Sequence, residues 1–256
     1  MSSPLLEYEV TGDDRRLGLL LLPPLGADLR YWDACIAQWR GKISCLAPNL
    51  RHRVDGQRPR PVTLEEQASD LETLRAALGF ERVVPVGSAI STMAAACYAA
   101  RHPERTAALV LANATARSLP QAASMLAERA EAVRAGGMAA ILPQAVERAF
   151  LNLPKDRRYD AYLAAFGRQS AEDYAFACLA SATFDASALL PAVRCPSLVV
   201  AGEHDVLLTP ALGQEAAALI PGARFEIMQG AAHFLPYQRP EAFAALVDSF
   251  LASTSR

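Results

Sequence analysis

Short apolar blocks alternate with helix-patterned stretches along the first part of the chain. Arg16 to Leu22 reads as a buried strand, and Pro23-Pro24-Leu25-Gly26 breaks it. Leu29 to Trp39 carries apolar residues at helical spacing, and Lys42 to Leu46 is another short strand. Thr63-Leu64-Glu65-Glu66 is a capping box opening a helix that closes at Gly79. A strand at 82–86, a turn, an alanine-rich helix from Thr92 to Arg101 and a strand from Ala107 to Ala112 follow. Strands alternating with helices predict a parallel sheet covered on both faces.

The alternation stops at about Thr115. From there to Leu190 the pattern is helical, punctuated by Gly136-Gly137, Pro143 and Pro154, with no convincing strand. It resumes with a strand at Ser197 to Ala201 and a helix capped by Thr209 with Pro210 in its first turn, running to Leu219. A strand at Arg224 to Met228 and a last helix from Pro240 to Leu251 complete it. The expected organisation is one α/β core, residues 1–114 and 191–256, interrupted by a helical cap at 115–190.

Composition narrows the function classes. With 256 residues, 52% hydrophobic and 20% charged, the chain can bury one large core plus a small lid. A net charge of -2 and a pI near 6.1 point to neither nucleic acid nor an anionic membrane as partner. Met1-Ser2-Ser3-Pro4 lacks the layout of a signal peptide, and the best apolar run, Leu17 to Leu25, is far short of the roughly 20 residues of a membrane span. The five cysteines are scattered with no C-x-x-C pair and sit mostly in apolar runs, so reduced core thiols are expected. These features predict a soluble cytoplasmic protein acting on a small molecule and leave a homo-oligomer open. The four histidines lack ligand spacing, so no metal is expected; no GxGxxG turn follows the first strand, so no dinucleotide cofactor is expected either.

The most informative segment is Val83-Val84-Pro85-Val86-Gly87-Ser88-Ala89-Ile90-Ser91-Thr92, a strand running into a tight turn and a small-residue helix. A nucleophile presented on such a turn needs small residues two positions before and after it, because neighbouring backbone comes close. Gly87 and Ser91 fit those places and put Ala89 at the apex. Centring the turn on Ser88 would require β-branched Val86 and Ile90 at the small positions. The nucleophile position therefore carries a methyl group.

Two more post-strand loops bear chemistry. Gly202-Glu203-His204-Asp205 follows one strand, and Gly230-Ala231-Ala232-His233-Phe234 follows the last. Asp205 alone would read as a helix cap or turn residue, and His233 alone as a satisfied structural histidine. Both lie downstream of the elbow in the order nucleophile, acid, histidine, which makes an acid–base pair the better account. His204 reads as facing away from the site or lining its edge and His102 as a solvated helix end, while His52 lies in a loop. An oxyanion hole needs one N–H from the residue after the apex, Ile90, and one from the loop after an early strand. Pro23 and Pro24 cannot donate, so Leu25 is the second donor.

These features together resemble the α/β-hydrolase superfamily over nearly the whole chain, and within it the 3-oxoadipate enol-lactonases and their relatives. The resemblance lies in Pro24-Leu25-Gly26-Ala27-Asp28-Leu29 with Trp32, Ala99-Ala100-Arg101-His102-Pro103-Glu104-Arg105 and Leu109-Val110-Leu111-Ala112-Asn113. Ala132-Val133-Arg134-Ala135-Gly136-Gly137-Met138 and Gly202-Glu203-His204-Asp205 add to it. It implies a mostly parallel, doubly wound sheet with a helical cap insertion and hydrolysis of a small ester, lactone or amide without a cofactor. It gives Ala89 the nucleophile position, Asp205 the acid, His233 the base, and Leu25 and Ile90 the oxyanion hole. The chain departs from the family at Ala89 and at Asn49-Leu50-Arg51-His52-Arg53, where relatives carry a glycine-containing loop.

Three readings of the alanine stand open. His233, oriented by Asp205, activates water directly, as the resemblance to the alanine-bearing aminoacrylate hydrolase-like enzymes of pyrimidine breakdown implies. Alternatively, an engineered Ser-to-Ala change has disabled a serine hydrolase, or the chain is a non-catalytic binder of a small molecule. A triad without its nucleophile still retains about 10³–10⁴-fold catalysis over water. Trp32, Ser88, Arg117 and Phe234 are read as substrate-contacting positions. Arg117 or Arg157-Arg158 would suit a carboxylate, though solvated helix charges explain them too. Tyr31, Trp32, Phe150, Tyr159, Phe166 and Tyr174 would suit an apolar pocket, or simple core packing.

Overall fold

The computed structural model describes residues 6–254. Met1 to Pro4, on which the expectation of no leader rests, lie outside the described residues. In chain order the strands and α-helices are β1 (Tyr8–Thr11), β2 (Leu17–Leu22), α1 (Asp33–Trp39), β3 (Ser44–Pro48), β4 (Arg53–Val54), β5 (Arg60–Pro61) and α2 (Leu64–Ala77). Then come β6 (Arg82–Ser88), α3 (Ser91–Arg101), β7 (Leu109–Ala112), α4 (Pro120–Gly136), α5 (Gln144–Ala149), α6 (Arg157–Gly167) and α7 (Ala171–Thr183). The chain ends with β8 (Ser197–Gly202), α8 (Pro210–Leu219), β9 (Arg224–Met228), α9 (Leu235–Gln238) and α10 (Pro240–Thr254).

Seven strands form one sheet in the order β1-β3-β2-β6-β7-β8-β9, with β1 antiparallel and every other pairing parallel. Both faces are covered, as a mostly parallel sheet requires. Alternate residues of β2 show it: Leu19 and Leu21 join a cluster with Trp39 of α1 and Phe243 of α10. Leu20 and Leu22 join the opposite one with Leu71 of α2 and Tyr98 of α3. The Thr63 hydroxyl accepts from the Glu66 N–H while the Glu66 carboxylate accepts from the Thr63 N–H, the capping box expected at the start of α2. All five cysteines are free and four of them are buried. Burial pushes the Cys97 and Cys178 thiols up to about 11.

The sheet order positions the site. From β2 the chain first moves to one side, to β3, and then crosses to β6 on the other, so neighbouring strands β2 and β6 leave their C-terminal loops diverging over a crevice. Helices α4 to α7 intervene between β7 and β8, where the pattern predicts helix and no strand. The exception is a single antiparallel bridge between Arg117 and Asp185 at the base of that excursion. Among the described residues no helix is long and apolar enough to cross a membrane.

Candidate active site

The turn between β6 and α3 holds Ala89 at φ +53°, one of only three non-glycine residues with positive φ among those described. That conformation costs a residue bearing a Cβ about 1–2 kcal/mol. Its neighbours enforce it. The Ala89 N–H donates to the Ala112 carbonyl of β7 (2.8 Å), and the Ala89 carbonyl accepts from the Thr92 hydroxyl (2.6 Å). A Cβ on Gly87 would stand 2.7 Å from Thr92 Cα and 2.8 Å from the Ser91 carbonyl oxygen, so only glycine fits there. Ser91 takes the other small position and uses its hydroxyl. Its Oγ accepts from the Ser88 N–H (3.0 Å) and lies within donating distance of the Leu22 carbonyl (2.9 Å), tying the elbow to the end of β2.

Asp205, on the loop after β8, is buried and almost fully coordinated. Its Oδ1 accepts from the N–H groups of Leu207 (2.8 Å) and Leu208 (2.9 Å), and its Oδ2 from Asn113 Nδ2 (2.7 Å). His233 Nδ1, on the loop after β9, stands 3.0 Å from Oδ2 and 3.2 Å from Oδ1. Burial raises the Asp205 pKa, but the His233 charge and hydrogen bond and the Leu208 and Leu207 N–H groups outweigh it, leaving the carboxyl below its usual 3.8. Asp205 is thus a carboxylate at neutral pH. It fixes the imidazole with Nδ1 toward the acid and leaves Nε2 for chemistry.

Ala89, His233, Leu25 and Ile90 line one cavity of about 150 Å³. Neither the Leu25 nor the Ile90 N–H donates to another described residue, although both are half-buried. Two backbone donors without a partner among the described residues therefore border one cavity. The walls are mostly apolar, with Leu126, Phe166, Leu208 and Phe234 among them. The loops carrying the acid and the base touch closely. A Cβ on Gly202 would lie 2.4 Å from the Ala232 carbonyl oxygen, so Gly202→Ala is expected to push the His233 loop away. It should cost about 1–3 kcal/mol and most of the hydrolytic activity, read by thermal melting and an ester assay.

The structure brings Ala89, Asp205, His233, Leu25, Ile90, Arg117 and Phe234 to this place, and leaves two expected contacts elsewhere. Trp32 is fully buried against Phe243, and the Ser88 hydroxyl is buried 2.8 Å from the Tyr31 hydroxyl; neither lines the cavity. Of the six aromatic residues expected at a pocket, Phe166 lines it, whereas Tyr31 and Phe150 pack edge-on against Phe234 behind the wall. Arg158 donates to the Gln238 carbonyl (3.1 Å), away from the cavity. Arg129 of α4, unmarked in the sequence by any motif, does line the cavity and forms no ion pair with a described residue. Asn113 was also invisible as a functional residue: a polar residue ending an apolar strand reads as a turn. Here it has φ +54° and its amide links Asp205 to the Ala232 carbonyl (3.2 Å).

The segment spanning residues 49–53 is held by charge. Arg51 grips Asp70 (2.8 and 3.1 Å), and Arg53 reaches Asp55 and, across to α7, Asp173 (2.8 and 3.0 Å). Between them burial lowers the His52 pKa from 6.5 to about 4, against the opposing pull of Asp173. A neutral His52 in the fold and a protonated one in the unfolded chain mean that stability falls as pH drops from 6.5 towards 4. His52→Gln should therefore lose less melting temperature between pH 7 and 5 than the parent, by the equivalent of about 1 kcal/mol.

The model of the Alpha/beta hydrolase family matches residues 19–246, from β2 into α10. The chain belongs to the α/β hydrolase family. It is 27% identical to 3-oxoadipate enol-lactonase 2 of Acinetobacter baylyi, over 96% of this chain and 92% of that protein. It is 28% identical to a Caulobacter sp. (strain K31) protein provisionally named a carbamate hydrolase, over 84% of this chain and 85% of the other. The crystal structure of the enol-lactonase from Burkholderia xenovorans LB400 superposes with a TM-score of 0.86 at 28% identity, covering 96% of both chains.

Proposed function

We propose that this α/β hydrolase cleaves a small ester, lactone or amide by direct water attack, with residues 115–190 capping the site. The observation that carries the reading is the coincidence in one cavity of an oriented histidine, two unpaired N–H donors and a methyl group at a strained apex. The substrate carbonyl oxygen sits at the Leu25 and Ile90 N–H groups. His233 Nε2 takes a proton from water as that water attacks the carbonyl carbon, and Asp205 stabilises the imidazolium. The developing oxyanion is held by donors that need no reorganisation. His233 then returns its proton to the departing oxygen or nitrogen. The Ala89 methyl leaves room where a serine hydroxyl would otherwise lie between base and carbonyl. An enol-lactonase among the similar proteins points to a substrate with an activated carbonyl, whose enol is a good leaving group, and this suits catalysis without an acyl-enzyme.

Steady-state hydrolysis of an enol-lactone and activated-ester panel, compared with the Ala89→Ser variant, tests this. The expected result is turnover by the parent and a change of less than about 10-fold in the variant. An inert parent with activity restored by about 10³-fold or more would identify a disabled serine hydrolase. Inertness of both proteins would favour a non-catalytic binder.

A further inference from the structure

The cavity offers a substrate a base and an oxyanion receptor but no protein nucleophile. Two hydroxyls on the cavity wall are already committed: Thr115 donates to the Arg117 carbonyl (2.9 Å) and Ser118 to the Ser181 carbonyl (2.6 Å). Apart from these, His233 and two arginines, the lining is apolar, with Pro24, Ile90, Met125, Leu208 and Phe234 among it. Two guanidinium groups, Arg117 and Arg129, line the same cavity, the first near the Asp185 carboxylate and the second beside Tyr174. They bias this apolar space towards negative charge.

We propose that the same site enolises carbonyl compounds: His233 removes a proton from the carbon next to a carbonyl whose oxygen is held by the Leu25 and Ile90 N–H groups. The C–H bond breaks and its electron pair becomes the carbon–carbon double bond. The carbonyl π pair moves onto oxygen, where the two N–H groups receive it, and the proton rests on His233 Nε2. The imidazolium N–H swaps its proton with solvent and in reverse delivers a solvent proton to carbon, so the net reaction is exchange with solvent, with nothing oxidised or reduced. A base facing an oxyanion receptor in an apolar site is sufficient for such chemistry. A serine at the apex would obstruct it, because its hydroxyl would occupy Nε2 and lie between the base and the carbon. The inference rests on the roles given to His233, Leu25 and Ile90 above, and asks nothing of a water nucleophile.

Cyclopentanone and phenylacetone in D₂O are the probes, since ketones have no leaving group and cannot be hydrolysed. Loss of the α-proton signal is followed by NMR for the parent, His233→Ala and Ala89→Ser, each checked for folding by thermal melting. Exchange with at least one ketone should be about 10-fold or more faster in the parent than in His233→Ala. It should also fall in Ala89→Ser, a variant that leaves the acid–base pair in place. Exchange no faster in the parent than in His233→Ala with both ketones overturns the proposal, as does undiminished exchange in Ala89→Ser. The ester panel run in parallel separates the two readings. Hydrolysis without exchange rejects enolisation alone, and the absence of both rejects the shared roles of His233 and the N–H pair.

Discussion

Asp205→Asn is expected to lower kcat by about 10³- to 10⁴-fold while the fold survives at reduced stability. The reason lies in what surrounds the carboxylate. Leu207 and Leu208 N–H groups point at Oδ1, and Asn113 Nδ2 points at Oδ2, with His233 Nδ1 within reach of both. Every neighbour is a donor, so the slot accepts only acceptors. An asparagine has one carbonyl oxygen, and its NH₂ must face either the Leu207 and Leu208 pair or the Asn113 amide. Leaving such donors unpaired in a buried site costs about 1–3 kcal/mol. If the new NH₂ turns to His233, it forces Nδ1 to accept and places the ring proton on Nε2, the tautomer that cannot act as base. The parent should behave differently in acid. Asp205 has a folded pKa below 3.8, so its stabilising contribution is full above that value and disappears as pH falls through the lower folded one. The difference in melting temperature between parent and variant should be full at pH 7 and shrink as pH is taken progressively below 3.8, while ester hydrolysis separates them at neutral pH. Equal activity at pH 7 would place the working base elsewhere.

The parts of the architecture legible in the sequence share a physical basis: long blocks with one period. β2, β6 and β8 are buried on both faces and read as continuous apolar runs, and α2 announces itself by a capping box. The sequence was silent where an element is short and its stability comes from a partner. Tyr8–Thr11 has little apolar content and two exposed residues, and is a strand because it pairs antiparallel with β3. β4 and β5 have two residues each and pair only with each other as strands, resting against α7. α9 follows Phe234 for a single turn, too short for periodicity to mark.

Within the site, the visible residues are those that directly follow strands. The elbow could be centred on Ala89 because Val86 and Ile90 cannot serve as the small residues of a tight turn. Asp205 and His233 follow β8 and β9 for the reason Ala89 follows β6: loops at one end of a parallel sheet converge. Asn113 obeys the same rule after β7, yet nothing in its chemistry distinguishes a linking amide from a turn residue. Trp32 was misplaced through composition: a large aromatic near the oxyanion loop suits a pocket, but its ring fills the core under α10. Arg129 needed the third dimension, since only the docking of α4 over the sheet turns it to the cavity.

His233→Ala is the counterpart test, with an expected fall in kcat/KM for an activated ester of about 10²- to 10⁴-fold. The argument turns on what remains when the imidazole is gone. The Leu25 and Ile90 N–H groups belong to the backbone and still receive the oxyanion, so some rate above buffer persists. Water, however, must now attack without a base, and the Asp205 carboxylate loses the partner that transmitted its charge. Comparing the substitution with and without Ala89→Ser locates the nucleophile. Under direct water attack His233 carries its full effect in the parent, and Ala89→Ser contributes little on either side of the comparison. If the alanine has silenced a serine hydrolase, His233→Ala changes almost nothing in the inactive parent and has its large effect only where Ala89→Ser is present. Mass spectrometry of the enzyme during turnover makes the same division: no acyl adduct on the parent, and a transient one on the variant if its new hydroxyl is activated. The strained apex gives the comparison its meaning, because Ala89, at φ +53°, lines the same cavity as His233, so a side chain placed there enters the space beside the imidazole.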